Sequence, residues 1–124
     1  MSNSIMLEKS KDFAVEIVNL CRKIKSEKKE SILTNQLMRS ATSIGANIHE
    51  SKYAHSKADF IAKMQIALKE CYESEYWIEL LSRTGFISGE QFKNLISHCG
   101  SIRRMLIASI NTVKNNLKNN QTQN

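Results

Sequence analysis

With 124 residues, 41% of them apolar and 24% charged, the chain has room for one domain around one hydrophobic core. It contains no proline and only four glycines, a composition that long unbroken helices tolerate, and no run of about 18 apolar residues offers a membrane span. The net charge of +6 argues for attraction to polyanions and says nothing of the fold.

The opening stretch MSNSIMLEKSKDF has too short an apolar run for a signal peptide, and charged residues follow at once. From about Ile5 to Glu27, Phe13, Ile17, Leu20, Cys21 and Ile24 recur at three- and four-residue steps, which predicts a first amphipathic helix. Its C-terminal end is basic: Arg22, Lys23, Lys25, Lys28 and Lys29 surround the single acid Glu27. The run SEKKES then breaks the pattern.

A second helix is predicted from about Ser31 to Lys52, with Leu33, Leu37, Ala41, Ile44 and Ile48 as its apolar stripe. A third starts near Ser56, where Ser56 and Asp59 have capping-box-like spacing. Phe60, Met64, Ala67, Leu68, Cys71, Ile78 and Leu81 carry it to Gly85, which is well placed as a left-handed stop. A fourth opens on the capping box Ser88 and Gln91 and continues through Phe92, Leu95, Cys99, Ile102, Leu106, Ile110, Val113 and Leu117. After Glu90 it carries Lys93, Arg103, Arg104, Lys114 and Lys118 and no acid.

Four helices with short breaks and no alternating strand pattern predict an all-α, antiparallel up-down-up-down four-helix bundle over residues 1–118, with a polar frayed tail over 119–124. Cys21, Cys71 and Cys99 are widely spaced and sit on apolar stripes, as buried reduced thiols of a cytoplasmic protein do.

The second helix has a further pattern. Gln36, Arg39, Ser40, Ser43, Asn47, Glu50 and Ser51 fall in one polar sector beside the apolar stripe, interleaved with the small Ala41, Gly45 and Ala46. A solvated face usually reads Lys and Glu, so this sector is expected to pack on another helix, with Arg39 paired to Glu50 or to an acid of helix three. Gly45 in mid-helix points to a close backbone approach. On helix three, Tyr72, Tyr76 and Trp77 crowd two turns; they read as contact surface for another subunit, or, for Trp77, as closing one end of the core.

At these residues the chain resembles a known family. QLMRSATSIGANIHES, with Gln36, Leu37, Arg39, Ser40, Ser43, Ile44, Asn47, Ile48 and Glu50, is similar to the signature of the bacterial four-helix bundle proteins called 23S rRNA intervening-sequence proteins. DFIAKMQIALKECYESEYWIELL resembles that family's third helix and TGFIS its next turn, while Ser51 and His49 depart from its usual glycine and alanine. The resemblance implies a homo-oligomer, a pentamer around an axis. Some members are encoded within insertions in ribosomal RNA genes, and basic barrels related to them bind nucleic acid.

No chemistry-bearing constellation appears. His49, His55 and His98 lack metal spacing, Glu70 and Glu73 lack the histidines of a di-iron bundle, and no phosphate-binding glycine loop is present. The chain is thus expected to be no enzyme and to need no cofactor. Its expected function is binding of RNA or DNA by Arg22, Lys23, Lys25, Lys28, Lys29, Arg103 and Arg104, with Gln36, Arg39, Ser43, Asn47, Glu50, Tyr76 and Trp77 building the fold and subunit interface. The competing expectation is a scaffold whose ligand is another protein.

Overall fold

The computed structural model describes residues 2–123, and side chains over 4–119. Helices α1 (Ser2–Lys28), α2 (Ile32–Ser51), α3 (Lys57–Arg83) and α4 (Gly89–Gln123) follow one another. Each contacts its two neighbours in the order α1, α2, α3, α4, α1, and neither diagonal pair has Cα atoms within 8 Å among the described residues. That is the up-down-up-down bundle expected. Of the polar tail at 119–124, Asn124 and the side chains beyond 119 lie outside the described residues.

Local chemistry sets the helix ends. Lys29 closes α1 in the left-handed region at φ 57°. The cap of α2 was not legible from its residue types: Ser31 makes no capping bond, and the Glu30 carboxylate accepts instead from the N–H groups of Leu33 (2.7 Å) and Thr34 (3.0 Å). At α3, the Ser56 hydroxyl accepts from the Asp59 N–H at 3.0 Å, while the Asp59 carboxylate turns to the His55 N–H. The end of α3 is a Schellman motif, with Phe86 N–H on Leu81 O (2.9 Å), Gly85 N–H on Ser82 O (3.1 Å) and Gly85 at φ 82°. The Ser88–Gln91 box forms in both directions, at 3.1 and 2.8 Å.

The core is the four apolar stripes brought face to face. Phe13, Ile17 and Cys21 meet Leu37, Ile44 and Ile48, Met64, Cys71 and Ile78, and Cys99, Ile102 and Leu106, all fully buried. Leu20, Leu33, Phe60, Leu68 and Phe92, read as core from periodicity, are only partly covered because they sit at the stripe edges. All three cysteines are free and buried. Burial pushes the Cys21 thiol up to about 11, and a hydrogen bond with Cys71, together with burial, pushes Cys99 well above its ordinary value.

Candidate nucleic-acid interface

The basic residues singled out from sequence divide into two groups. Arg22, Lys23, Lys28 and Lys29 are exposed at the C-terminal end of α1, and Lys25, half-buried, bonds to Asn35 of α2. Lys28 Nζ donates to the Phe86 carbonyl at 3.2 Å and stands 6.0 Å from the centre of its ring, which fastens the α3–α4 turn to this end of the bundle. Arg83, the last residue of α3, is thereby added to the same end, in an ion pair with Glu79 at 3.0 Å. The sequence reading missed it, since only the return of α3 to this end makes it a neighbour.

Arg103 and Arg104 lie elsewhere. His98 of α4 meets Glu16 of α1 at 2.8 Å, and the two helices run antiparallel from that point. At a rise of about 1.5 Å per residue, Arg103 and Arg22 fall on opposite sides of that level, on the order of 16 Å apart along the axis. Arg103 is also engaged: its Nε bonds to Glu75 of α3 at 3.0 Å, and its guanidinium stands 5.7 Å from the Tyr72 ring centre. The bond to Glu75 raises the Arg103 pKa further. Both guanidinium groups fold over Gly100, where a Cβ would lie 3.2 Å from Arg104 Nη1 and 3.3 Å from Arg103 Nη2.

The polar sector of α2 packs on α3, though less completely than its pattern suggested. Arg39 reaches the acids of helix three, Glu70 at 3.4 Å and Glu73, rather than Glu50. Its side chain is 55% exposed while that of Glu70 is 10% exposed, so the buried member of the pair is the carboxylate. The reason is length: arginine's stem runs over the outside of the seam to a glutamate set within it. Beneath them the hydroxyls of Ser40 and Ser74, both buried, share a hydrogen bond of 2.9 Å. Ser43 and the Asn47 amide turn back to carbonyls of their own helix, at Arg39 and Ser43, and Gln36 and Glu50 are exposed.

Beside this seam, Tyr76 is 57% exposed and meets Trp77 edge-on at 4.9 Å. Trp77 packs against the core from a half-buried position, and its Nε1–H is buried without an acceptor among the described residues. A cavity of about 280 Å³ in the α1/α4 seam is lined by Lys9, Asp12, Phe13, Glu16, His98 and Ser101. Among the described residues, no group of three or more His, Cys, Asp or Glu side chains is placed to hold a metal. Among the described residues, no helix is long and apolar enough to cross a membrane.

Over residues 2–108 the chain matches the family described as 23S rRNA-intervening sequence protein. It is also similar to a solved structure, a protein with unknown function from the S23 ribosomal protein family of Bacteroides thetaiotaomicron VPI-5482. The two are 47% identical, with a TM-score of 0.88, covering 90% of this chain and 99% of that one. No curated protein matches the chain.

Proposed function

The chain belongs to the 23S rRNA-intervening sequence protein family, and from that footing we propose that it is a non-enzymatic, self-assembling bundle that binds RNA or DNA through phosphate contacts. The observation that carries this reading is the gathering of Arg22, Lys23, Lys25, Lys28 and Lys29 with Arg83 at one end of the bundle. Of the acids at this end, Glu30 caps α2, Glu79 pairs with Arg83, and Glu27 and Glu90 are exposed, so the cluster of six cations keeps a net positive charge. Such a surface makes contacts that are independent of sequence and sensitive to salt. The family's description, which names an intervening sequence of 23S rRNA, is compatible with RNA as the ligand. Arg103 contributes mainly to the fold in this reading: its side chain is 26% exposed and bonded to Glu75, whereas Arg83, although paired with Glu79, is 75% exposed.

Assembly runs through the outer side of α2 and α3, where exposed Tyr76 suits burial by a second copy. Five copies around an axis is the stoichiometry proposed. The buried thiols fit a protein working in the cytoplasm, where they stay reduced.

Filter binding of generic RNA and DNA at two ionic strengths tests the first half of the proposal. Affinity is expected to fall with salt at a slope of about 0.9 per phosphate neutralised on duplex DNA, and the double variant R22E/K23E to lower that slope by about one per cation lost. Absent or salt-insensitive binding overturns it, and capture of a stoichiometric protein that survives nuclease treatment replaces it with the scaffold reading. Light scattering tests the second half: a mass near five chains is expected, and a clean monomer overturns it.

A further inference from the structure

The turn between α2 and α3 lies at the opposite end of α2 from the basic cluster, about 30 Å away for a helix of 20 residues. Its tip is Tyr53, 71% exposed. The other two tyrosines have neighbours that account for them: Tyr72 lies under Arg103, and Tyr76 packs on Trp77. Among the described residues the one ring contact of Tyr53 is with the edge of His49, one helical turn earlier, at 5.6 Å between ring centres and 66° between planes.

The backbone beneath the ring is tied down. The N–H groups of Lys52, Tyr53 and Ala54 bond back to the carbonyls of His49, Glu50 and Ser51, at 3.2, 3.0 and 3.2 Å. The His55 N–H is held by the Asp59 carboxylate at 3.2 Å, while Glu50, three residues before the tip, is exposed. Lys52 and Lys57 flank the tyrosine, both exposed. From His49 an open groove of about 340 Å³ runs between α1 and α2 past Gly45 and Ala46; Lys11 of α1 on its far wall is paired with Glu8 at 3.5 Å.

An exposed aromatic ring on a hydrogen-bonded turn, with lysines beside it, matches the chemistry of an unpaired nucleotide. The base offers a flat π face, and the phosphates seek cations. In a duplex those faces are already stacked on one another and closed to a protein ring. We propose that Tyr53, in edge contact with His49 beside the α1/α2 groove, stacks on an unpaired base of a bound nucleic acid whose phosphates lie along Lys52 and Lys57. The site rests on the nucleic-acid reading above and adds to it a preference for single strands over duplexes.

The test measures fluorescence anisotropy of one short RNA, single-stranded and as a duplex, with the wild-type chain, Tyr53→Leu and Tyr53→Trp, each checked for assembly size by light scattering. Tyr53→Leu is expected to weaken single-strand binding roughly ten-fold and leave duplex binding unchanged, and Tyr53→Trp to retain both. Equal losses on both RNAs, or no loss on either, overturns the stacking site and leaves the basic end standing. A change of assembly size in Tyr53→Leu overturns it also, because the ring would then belong to a protein contact. Failure of the wild-type chain to bind either RNA overturns both readings together.

Discussion

A Cβ placed on Gly45 of α2 would lie 2.9 Å from the hydroxyl oxygen of Ser10 on α1, closer than side chains approach one another. Ser10 is fully buried and its hydroxyl donates to the Leu7 carbonyl at 2.6 Å, so it yields only by giving up that bond. The glycine costs helix propensity of about 1 kcal/mol and in return lets the two helices close.

Gly45→Ala therefore sets a propensity gain of about 1 kcal/mol against a clash and a lost buried hydrogen bond worth roughly 1–3 kcal/mol. A net loss of about 1 kcal/mol is expected in urea unfolding. With Ser10→Ala in the same chain the nearest atom becomes the Cβ of residue 10, at 3.5 Å, an ordinary contact. The double variant should be more stable than Gly45→Ala alone. Simple additivity in that cycle would show that the two residues do not compete for the same space.

Arg39 and Glu70 supply a second test. Removing Arg39 leaves the buried Glu70 carboxylate without its partner, a change that costs about 3–5 kcal/mol for a fully buried pair. Arg39 is more than half exposed and water screens the loss, so about 1–2 kcal/mol is expected for Arg39→Ala. Glu70→Gln, which removes the charge but keeps the volume, should recover much of that loss when added to Arg39→Ala. A double variant no more stable than Arg39→Ala alone would mean that the carboxylate is not what suffers.

Glu30 carries a pH dependence. Burial works against its ionised form, but the Leu33 and Thr34 hydrogen bonds outweigh it and hold the carboxyl below its ordinary value of 4.5. A carboxyl lowered by folding stabilises the fold fully above its unfolded value, and this stabilisation fades as pH falls through the lowered one. Glu30→Ala should thus cost about 1 kcal/mol near neutral pH, as other cap losses do. The difference from wild type should shrink steadily once the pH drops below 4.5. Thermal melts across that range read it directly, and a constant difference would assign the cost to packing.

The cysteines should be silent in the native protein. With the Cys21 thiol pushed up to about 11, roughly 0.1% of it is thiolate at pH 8, and Cys99 holds less. Ellman's reagent should register almost no thiol in the folded chain and all three after denaturation. A fast-reacting equivalent in the native state would place one of these side chains at a surface.

What could be read from the chain before its structure was known was what depends on neighbours in sequence. The stripe Phe13, Ile17, Cys21 and Ile24, the Ser88–Gln91 box and the stop at Gly85 all follow from spacings of a few residues, because helical periodicity and capping are short-range. The glycine at 45 announced a close approach, yet nothing near it in sequence named Ser10, which α1 supplies from 35 residues away in number. The polar sector of α2 announced a packed face, but not that Arg39 would take Glu70 and Glu73 over Glu50.

The tertiary structure alone decided which charges stay available for a ligand. Arg22 and Arg103 are both arginines on basic stretches, and composition treats them alike. Folding carries Glu75 from α3 to Arg103 and leaves Arg22 at an exposed helix end, in no ion pair among the described residues. Periodicity and composition thus determined that four amphipathic helices would bury their stripes together, since burial of apolar surface needs only the right pattern along each helix. Pairing of Arg39 with Glu70 and of Arg103 with Glu75, and the joining of Lys28 to Phe86, depend on distances of a few ångströms across the fold, and those exist only once the helices have docked.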